Sequence, residues 1–299
     1  MPPTNSWDET APAGSSLRSL GDDSIRQFKL DLRERLAAEH VSGDGTIIEA
    51  ADFTEARHKL SSIGLLGLLK GLRIEQRTYG TSGNITISGR LQIEINGDMC
   101  YLNSDTNLAF SGLTANTSYY IYVASPGHET ELVAGNLSYS TTVPTYSTSK
   151  KGWYNGTSRA IGFFRAVAGA YMYPFVQTKS NYEYGYYPTD VLSSGTATVY
   201  TELTGIANYV PVFCGGTVKL SYSVSRVSGT IASFYLDIAN TSNYLRNITS
   251  QVNGNGTNGL YLYGEVTCLL SSTRTIFYKV ANSSSVSLGV VGFDLDGSL

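Results

Sequence analysis

Leu72-Arg-Ile-Glu-Gln-Arg-Thr78, Asn84-Ile-Thr-Ile-Ser88 and Leu91-Gln-Ile-Glu-Ile-Asn96 alternate apolar with polar side chains, residue by residue. A period of two puts every apolar side chain of such a segment on one face of a strand, with the polar ones on the other. Tyr79-Gly-Thr-Ser-Gly83, Ser88-Gly89 and Asn96-Gly97 punctuate these segments as turns. Asn-Gly suits a two-residue hairpin turn, whose central residues both need positive φ. The stretch from Leu72 onward therefore predicts antiparallel strands joined by tight turns.

Downstream, Leu108-Ala-Phe110 and Leu113-Thr-Ala-Asn-Thr-Ser-Tyr-Tyr-Ile-Tyr-Val123 continue the pattern. A turn leucine followed by alternating aromatics looks like the tyrosine-corner strand of a fibronectin-III-like sandwich, so residues 72–146 are expected to form a small antiparallel β domain. Residues 147–174 read as a connector that carries one further strand, Arg159-Ala-Ile-Gly-Phe-Phe-Arg-Ala-Val-Ala168. Residues 175–299 hold alternating segments at 196–202, 217–224, 231–238, 260–266, 274–280 and 286–295, the pattern of a C-terminal β-sandwich or jelly roll. No repeat of fixed period links the two β regions, which disfavours a propeller or β-helix.

Upstream the character changes. Residues 1–60 hold 18 charged side chains, 61–151 hold 12 and 152–299 hold 15, so charge density steps down along the chain. Residues 1–45 are expected to form an anchoring segment with one helix, and 46–71 a linker. Gly21-Asp-Asp-Ser24 offers capping oxygens ahead of Ile25–His40, and Ile25, Phe28, Leu32 and Leu36 recur at helical spacing. A lone helix of that length is marginal in water, so its stripe must pack on a copy of itself or on a host assembly. The fold class expected is thus mainly β: a short N-terminal helical anchor, a fibronectin-III-like domain and a C-terminal sandwich.

Composition narrows the function. Only 15% of residues are charged while Gly (31) and Tyr (22) are abundant, which suits twisted strands with hydroxyl-bearing surfaces. A net charge of −3 gives no electrostatic footprint for nucleic acid. The most apolar run, Ile63-Gly-Leu-Leu-Gly-Leu-Leu69, is too short to cross a membrane, and Met1-Pro-Pro-Thr-Asn-Ser-Trp7 does not read as a secretory signal. Cys100, Cys214 and Cys268 are odd in number and widely spaced, as expected of buried thiols in a reducing compartment. Eight Asn-X-Ser/Thr triplets, from Asn84 to Asn282, follow from a composition rich in these residues and are not read as glycosylation sites.

No catalytic constellation is evident, and no cofactor or metal is expected. His40, His58 and His128 have no second ligand at metal spacing, and no nucleophile elbow or phosphate-binding loop appears. Asp294 and Asp296 could lie side by side on one strand face, the pairing that glycoside hydrolysis needs, but a solvent-facing terminal strand accounts for them better. The aromatic stretch is more informative: Tyr171-Met-Tyr-Pro-Phe175 and Asn181-Tyr-Glu-Tyr-Gly-Tyr-Tyr-Pro188 concentrate rings that can stack on sugars, bond their oxygens, or fill a core or subunit interface. Tyr182, Tyr184, Tyr186 and Tyr187 are the candidate receptor-facing residues.

Trp7-Asp-Glu-Thr-Ala-Pro-Ala-Gly-Ser-Ser16, followed by Gly21-Asp-Asp-Ser-Ile-Arg-Gln-Phe-Lys-Leu-Asp-Leu-Arg-Glu-Arg-Leu-Ala-Ala-Glu-His40, resembles the N-terminal segment of tailed-bacteriophage virion proteins, above all tail fibres and related appendages. Thr145–Gly162 also looks like a segment of phage fibre proteins. The resemblance implies a non-enzymatic structural protein of the virion, assembled in the bacterial cytoplasm without a signal peptide. It implies a homotrimer whose N-terminus, with Trp7, Asp8 and Glu9, docks on another virion protein of the tail, portal, collar or capsid. The distal β domains would then adhere to a host-surface glycan. A capsid head fibre or decoration protein is the alternative, and a glycan-degrading tailspike the more remote one.

Overall fold

The computed structural model describes His40–Val41, Arg57–His58 and residues 67–299, apart from 128, 186–190, 227–233, 240–244, 251–260, 281–283 and 296–298. The chain divides into two units, Met1–Leu66 and Gly67–Leu299. In the first, β1 (His40–Val41) pairs antiparallel with β2 (Arg57–His58), His40 opposite His58. His40, expected as the last helical residue, is extended instead. Its neighbour Val41 is β-branched and favours a strand, and cross-strand bonds satisfy the backbone that a helix end leaves open. Trp7, Asp8, Glu9 and the stripe Ile25, Phe28, Leu32 and Leu36 lie outside the described residues.

The second unit is built of strands of two to thirteen residues. In chain order they are β3 (Leu69–Lys70), β4 (Arg73–Gln76), β5 (Gly83–Ile87), β6 (Leu91–Ile95), β7 (Asp98–Leu102), β8 (Thr106–Phe110) and β9 (Thr117–Val123). Then come β10 (Thr130–Glu131), β11 (Leu137–Ser140), β12 (Thr145–Ser147), β13 (Gly152–Asn155), β14 (Ser158–Ala166), β15 (Phe175–Thr178), β16 (Asn181–Tyr184) and β17 (Leu192–Gly195). The last are β18 (Thr201–Leu203), β19 (Cys214–Arg226), β20 (Phe234–Ala239), β21 (Leu245–Ser250), β22 (Tyr261–Leu269), β23 (Ile276–Val280) and β24 (Ser284–Leu295).

They assemble into a nine-stranded sheet ordered β22-β19-β24-β16-β15-β4-β5-β8, with β17 paired to β24, and three smaller sheets. These are the five-stranded β11-β9-β14-β13-β12 and the four-stranded β10-β7-β6-β3 and β18-β23-β20-β21. The Asn96-Gly97 turn behaves as its chemistry requires: Asn96 has φ 53 and Gly97 φ 97, and β6 and β7 pair with Ile95 opposite Asp98. Tyr119, in the segment read as a tyrosine corner, accepts a hydrogen bond on its hydroxyl from the backbone N–H of Thr114 at 2.8 Å.

The large sheet joins distant parts of the chain. β15 pairs with β4, setting Phe175 opposite Gln76, and β16 pairs with β24, setting Tyr182 opposite Phe293. The expected small β domain, connector and sandwich head thus contribute strands to one unit. β4 has two hydrogen-bonding edges, and the sequence marks neither with its partner. The segment read as a connector supplies β14, which lies beside β9 inside the five-stranded sheet.

Between the five- and nine-stranded sheets lies an aromatic core. The ring of Phe163 on β14 meets Tyr182 and Phe293 edge-on at 6.1 and 6.2 Å, while Tyr182 stacks on Phe293 at 4.5 Å and on Phe175 at 5.2 Å. Parallel and edge-to-face pairs are the arrangements that ring quadrupoles favour. The ladder between β14 and β9 shifts register between Ala160 and Gly162, which frees backbone groups of β14 from their partners. Buried Gln177 on β15 satisfies two of them: its Nε2 donates to Ile161 O at 2.7 Å and its Oε1 accepts from Phe163 N at 3.2 Å. Gly162 must be small here, because a Cβ would stand 2.7 Å from Ile74 Cδ1.

A buried ion pair fixes the start of this unit. Arg159, wholly enclosed, donates to Gly67 O at 2.9 Å, Leu68 O at 2.9 Å and Glu94 O at 2.7 Å. The carboxylate of Glu94, equally buried, lies 3.8 Å from the guanidinium and accepts from Gly67 N at 3.0 Å and Gly97 N at 2.6 Å. This buried pair meets hydrogen-bond partners in several directions, as a charge removed from water must.

Candidate functional site

The tyrosine stretch divides by strand geometry. On β16, Tyr182 and Tyr184 sit two residues apart and so share a face, and that face points into the core. Tyr182 is 0% exposed and Tyr184 8%, so neither faces a receptor as expected from sequence. The opposing sheet covers them, and Tyr184 spends its hydroxyl on Tyr209 O at 2.9 Å. Burial pushes both phenols far above their usual range, with the neighbouring ring of Tyr184 adding to the effect at Tyr182. Tyr186 and Tyr187 lie outside the described residues.

The earlier half of the stretch is different. Met172 forms bridges with Gly80 and Ala166, and its burial turns the tyrosines on either side of it outward. Tyr79, from the turn after β4, enters between them. It stacks on Tyr171 at 4.7 Å, 7° from parallel, and leans on Tyr173 at 5.3 Å. Tyr79 is 51% exposed and Tyr171 38%, so these two rings are presented to solvent, with half-buried Tyr173 beside them. Gly169, with φ 77, lets the chain pass the Tyr171 ring, since a Cβ there would lie 2.7 Å from it. Arg77 and Arg73 flank this region and both bond Glu75, at 2.8 and 2.9 Å. Sequence reasoning singled out Tyr171 and Tyr173 within the stretch but missed Tyr79, whose signal was an aromatic inside a turn otherwise made of small residues.

A second surface feature lies on the outer face of the large sheet. Ser221, Ser223, Tyr263, Glu265 and Ser287, with the backbone of Tyr222 and Gly264, line an open concavity of about 480 Å³ across β19, β22 and β24. The opposite face of the same strands carries the buried Leu220, Val224, Val286 and Leu288. A second concavity, of about 660 Å³, is lined by Val212, Cys214, Gly216 and the 270–274 turn.

Several polar groups elsewhere are committed to structure. Asp294 accepts a hydrogen bond from the Thr217 hydroxyl, while Asp296 lies outside the described residues. Glu202 accepts from Thr275 Oγ1 at 2.8 Å. Arg165 and Arg274 bond the carbonyls of Asn208 and Val210, at 3.0 and 2.7 Å, and so hold the turn after β18. None of the three cysteines forms a disulfide, and burial raises the thiols of Cys100 and Cys214, the reverse of what a thiolate nucleophile needs. Among the described residues no group of three or more His, Cys, Asp or Glu side chains comes together, and no helix is long and apolar enough to cross a membrane.

No family model matches the chain, and no curated protein matches it. Among solved structures, the mosquito-larvicidal Cry4Aa toxin from Bacillus thuringiensis aligns at a TM-score of 0.15 and 11% identity, over 76% of this chain and 52% of that one. The chain thus spans about half the toxin chain's length, and a likeness at that score carries no argument about fold or function.

Proposed function

We propose that the chain is a structural protein of a tailed-bacteriophage virion: a short homotrimeric fibre that docks on the particle through residues 1–45 and adheres through its β unit to glycans of the host surface. Its role is binding and not catalysis. The resemblance of Trp7–His40 to virion appendages supports the docking half. The observation that carries the adhesive half is the exposed pair Tyr79 and Tyr171, backed by half-buried Tyr173, on a charge-poor β body. Rings already stacked on one another lose little rotamer freedom on binding, and tyrosine pairs apolar area with a hydroxyl, which suits a contact surface. Three weak sites on one trimer, repeated over a particle, multiply into an avidity ~10²–10⁴ above that of one site.

Light scattering coupled to gel filtration tests the assembly. The full chain should run as a trimer and the chain lacking residues 1–45 should lose that state or its attachment to particles. A monomeric full chain overturns the fibre reading. Adsorption of labelled full chain to bacterial cells tests adhesion, and Tyr79→Ala or Tyr171→Ala should weaken it.

A further inference from the structure

The concavity on the outer face of β19, β22 and β24 has a lining that specifies a ligand class. Register fixes which side chains face it. Ser221 stands opposite Glu265 and Gly289, and Ser223 opposite Tyr263 and Ser287. Directly opposed residues share a face, so four hydroxyls, one carboxylate and one glycine converge on the same side. The row continues at Ser225 and Ser285, whose hydroxyls bond each other at 2.7 Å.

Two observations go beyond a polar surface. Tyr263 stands on this face with 67% of its area exposed, a ring on a floor of small side chains. Serine and glycine leave the space beside that ring open, which is what makes the concavity. The charged groups nearest the concavity, Lys219 and Glu265, pair at 2.7 Å and largely offset each other, while Glu183 stands further along the Lys219 row, across Gly292. Two hydroxyls are already oriented: Ser221 Oγ donates to Gly289 O at 3.3 Å, and Ser287 Oγ accepts from Ser194 N at 3.2 Å. Each keeps capacity for a ligand, because a hydroxyl offers one donor and two acceptor positions.

We propose that this concavity binds a short neutral oligosaccharide, with one sugar ring laid on Tyr263 and its hydroxyls exchanging hydrogen bonds with the serines and Glu265. The volume of about 480 Å³ lies within the ~300–1,000 Å³ of small-molecule sites. Sites of that size for drug-like ligands are mainly apolar. This one mixes four hydroxyls and a carboxylate with the apolar face of a ring, so a ligand that brings donors and acceptors together with an apolar face of its own complements it. A sugar also has an apolar C–H face for the ring. The inference rests on the adhesive reading and gives it a second contact, separate from the Tyr79 triad.

Saturation-transfer NMR and calorimetry on the full chain would test it, using neutral gluco-, galacto- and manno-configured trisaccharides and, for comparison, uronate- and sialic-acid-containing ones of the same length. At least one neutral trisaccharide should bind. Tyr263→Ala should weaken it about tenfold, and Val133→Ala, an exposed position outside both surfaces, should leave it unchanged. Ser223→Val keeps the β propensity and removes a hydroxyl, and it should weaken binding as well, so the outcome does not depend on one variant folding. Preference for the anionic set, or unchanged binding by Tyr263→Ala and Ser223→Val, overturns this site. Binding lost in Tyr79→Ala instead relocates the contact to the triad, and the adhesive reading then stands without this site. Absence of binding to every saccharide, with cell adsorption intact, overturns the site and leaves adhesion to a different ligand.

Discussion

Arg159→Met is the sharpest perturbation of this fold. Methionine keeps much of the volume but removes the charge and its donors. The carbonyls of Gly67, Leu68 and Glu94 lose bonds of 2.9, 2.9 and 2.7 Å, and the buried Glu94 carboxylate loses its counter-charge. Removing one member of a buried pair costs about 3–5 kcal/mol, most of it the desolvation of the charge left behind. With a urea dependence of about 2 kcal/mol/M, the midpoint of unfolding should fall by roughly 1.5–2.5 M. Trp153, on β13 next to the Arg159 strand, supplies a fluorescence probe within the same sheet. The pair also makes a double variant informative. Arg159→Met with Glu94→Gln removes both charges, and it should be far less destabilised than the sum of the single variants. A single variant that loses less than about 1 kcal/mol, or strict additivity in the double, refutes the view that this pair fixes the entry of the chain into its second unit.

Three further outcomes are expected. Gln177→Leu strands Ile161 O and Phe163 N at the β14 bulge and should cost about 2–4 kcal/mol in the same urea assay. Absorbance titration of the phenols should show a class, including Tyr182 and Tyr184, that stays protonated until the fold opens. Because burial raises their folded pKa, the stability they contribute is complete below the ordinary phenol value near ~10 and is lost as pH rises beyond it, so the unfolding midpoint should fall steeply in alkali. Glu75 behaves oppositely: its partial burial works to raise its pKa, but hydrogen bonds from Arg73 and Arg77 outweigh that and hold it below the usual carboxylate range. Its contribution is therefore present above about pH 4.5 and is lost as pH falls through the lowered value, and Glu75→Gln should flatten the acid limb by less than about 1 kcal/mol, since both arginines are solvent-exposed.

Much of this molecule was legible residue by residue. Alternation over 72–78, 84–88 and 91–96 became β4, β5 and β6, and Asn96-Gly97 became the positive-φ turn its chemistry demands. The long alternating runs near 217–224 and 286–295 became β19 and β24. These features are local: side-chain period and turn geometry depend on neighbours in the chain. β7 and β13 were not singled out, because Asp98-Met-Cys-Tyr-Leu102 and Gly152-Trp-Tyr-Asn155 are short and only weakly alternating.

What the tertiary structure decided concerns partners far apart in the chain. Periodicity says that Tyr182 and Tyr184 share a face, but only the sheet laid over that face makes it the core, with Phe163 and Phe293 against their rings. Tyr171 and Tyr173, eleven positions earlier, turn away from the core because Met172 between them takes the buried side. Arg159 reads as a surface residue in any sequence, and it is buried here because Glu94 and three carbonyls from two other segments meet its guanidinium. Likewise the joining of β4 to β15 depends on which edge finds which, a choice made by backbone groups that every residue carries alike. Sequence by itself determined that the described part of this protein is mainly strands and turns. Which faces are core and which are left to touch another molecule was settled by long-range pairing, because hydrogen-bonded edges and buried faces carry no label in the chain until they meet.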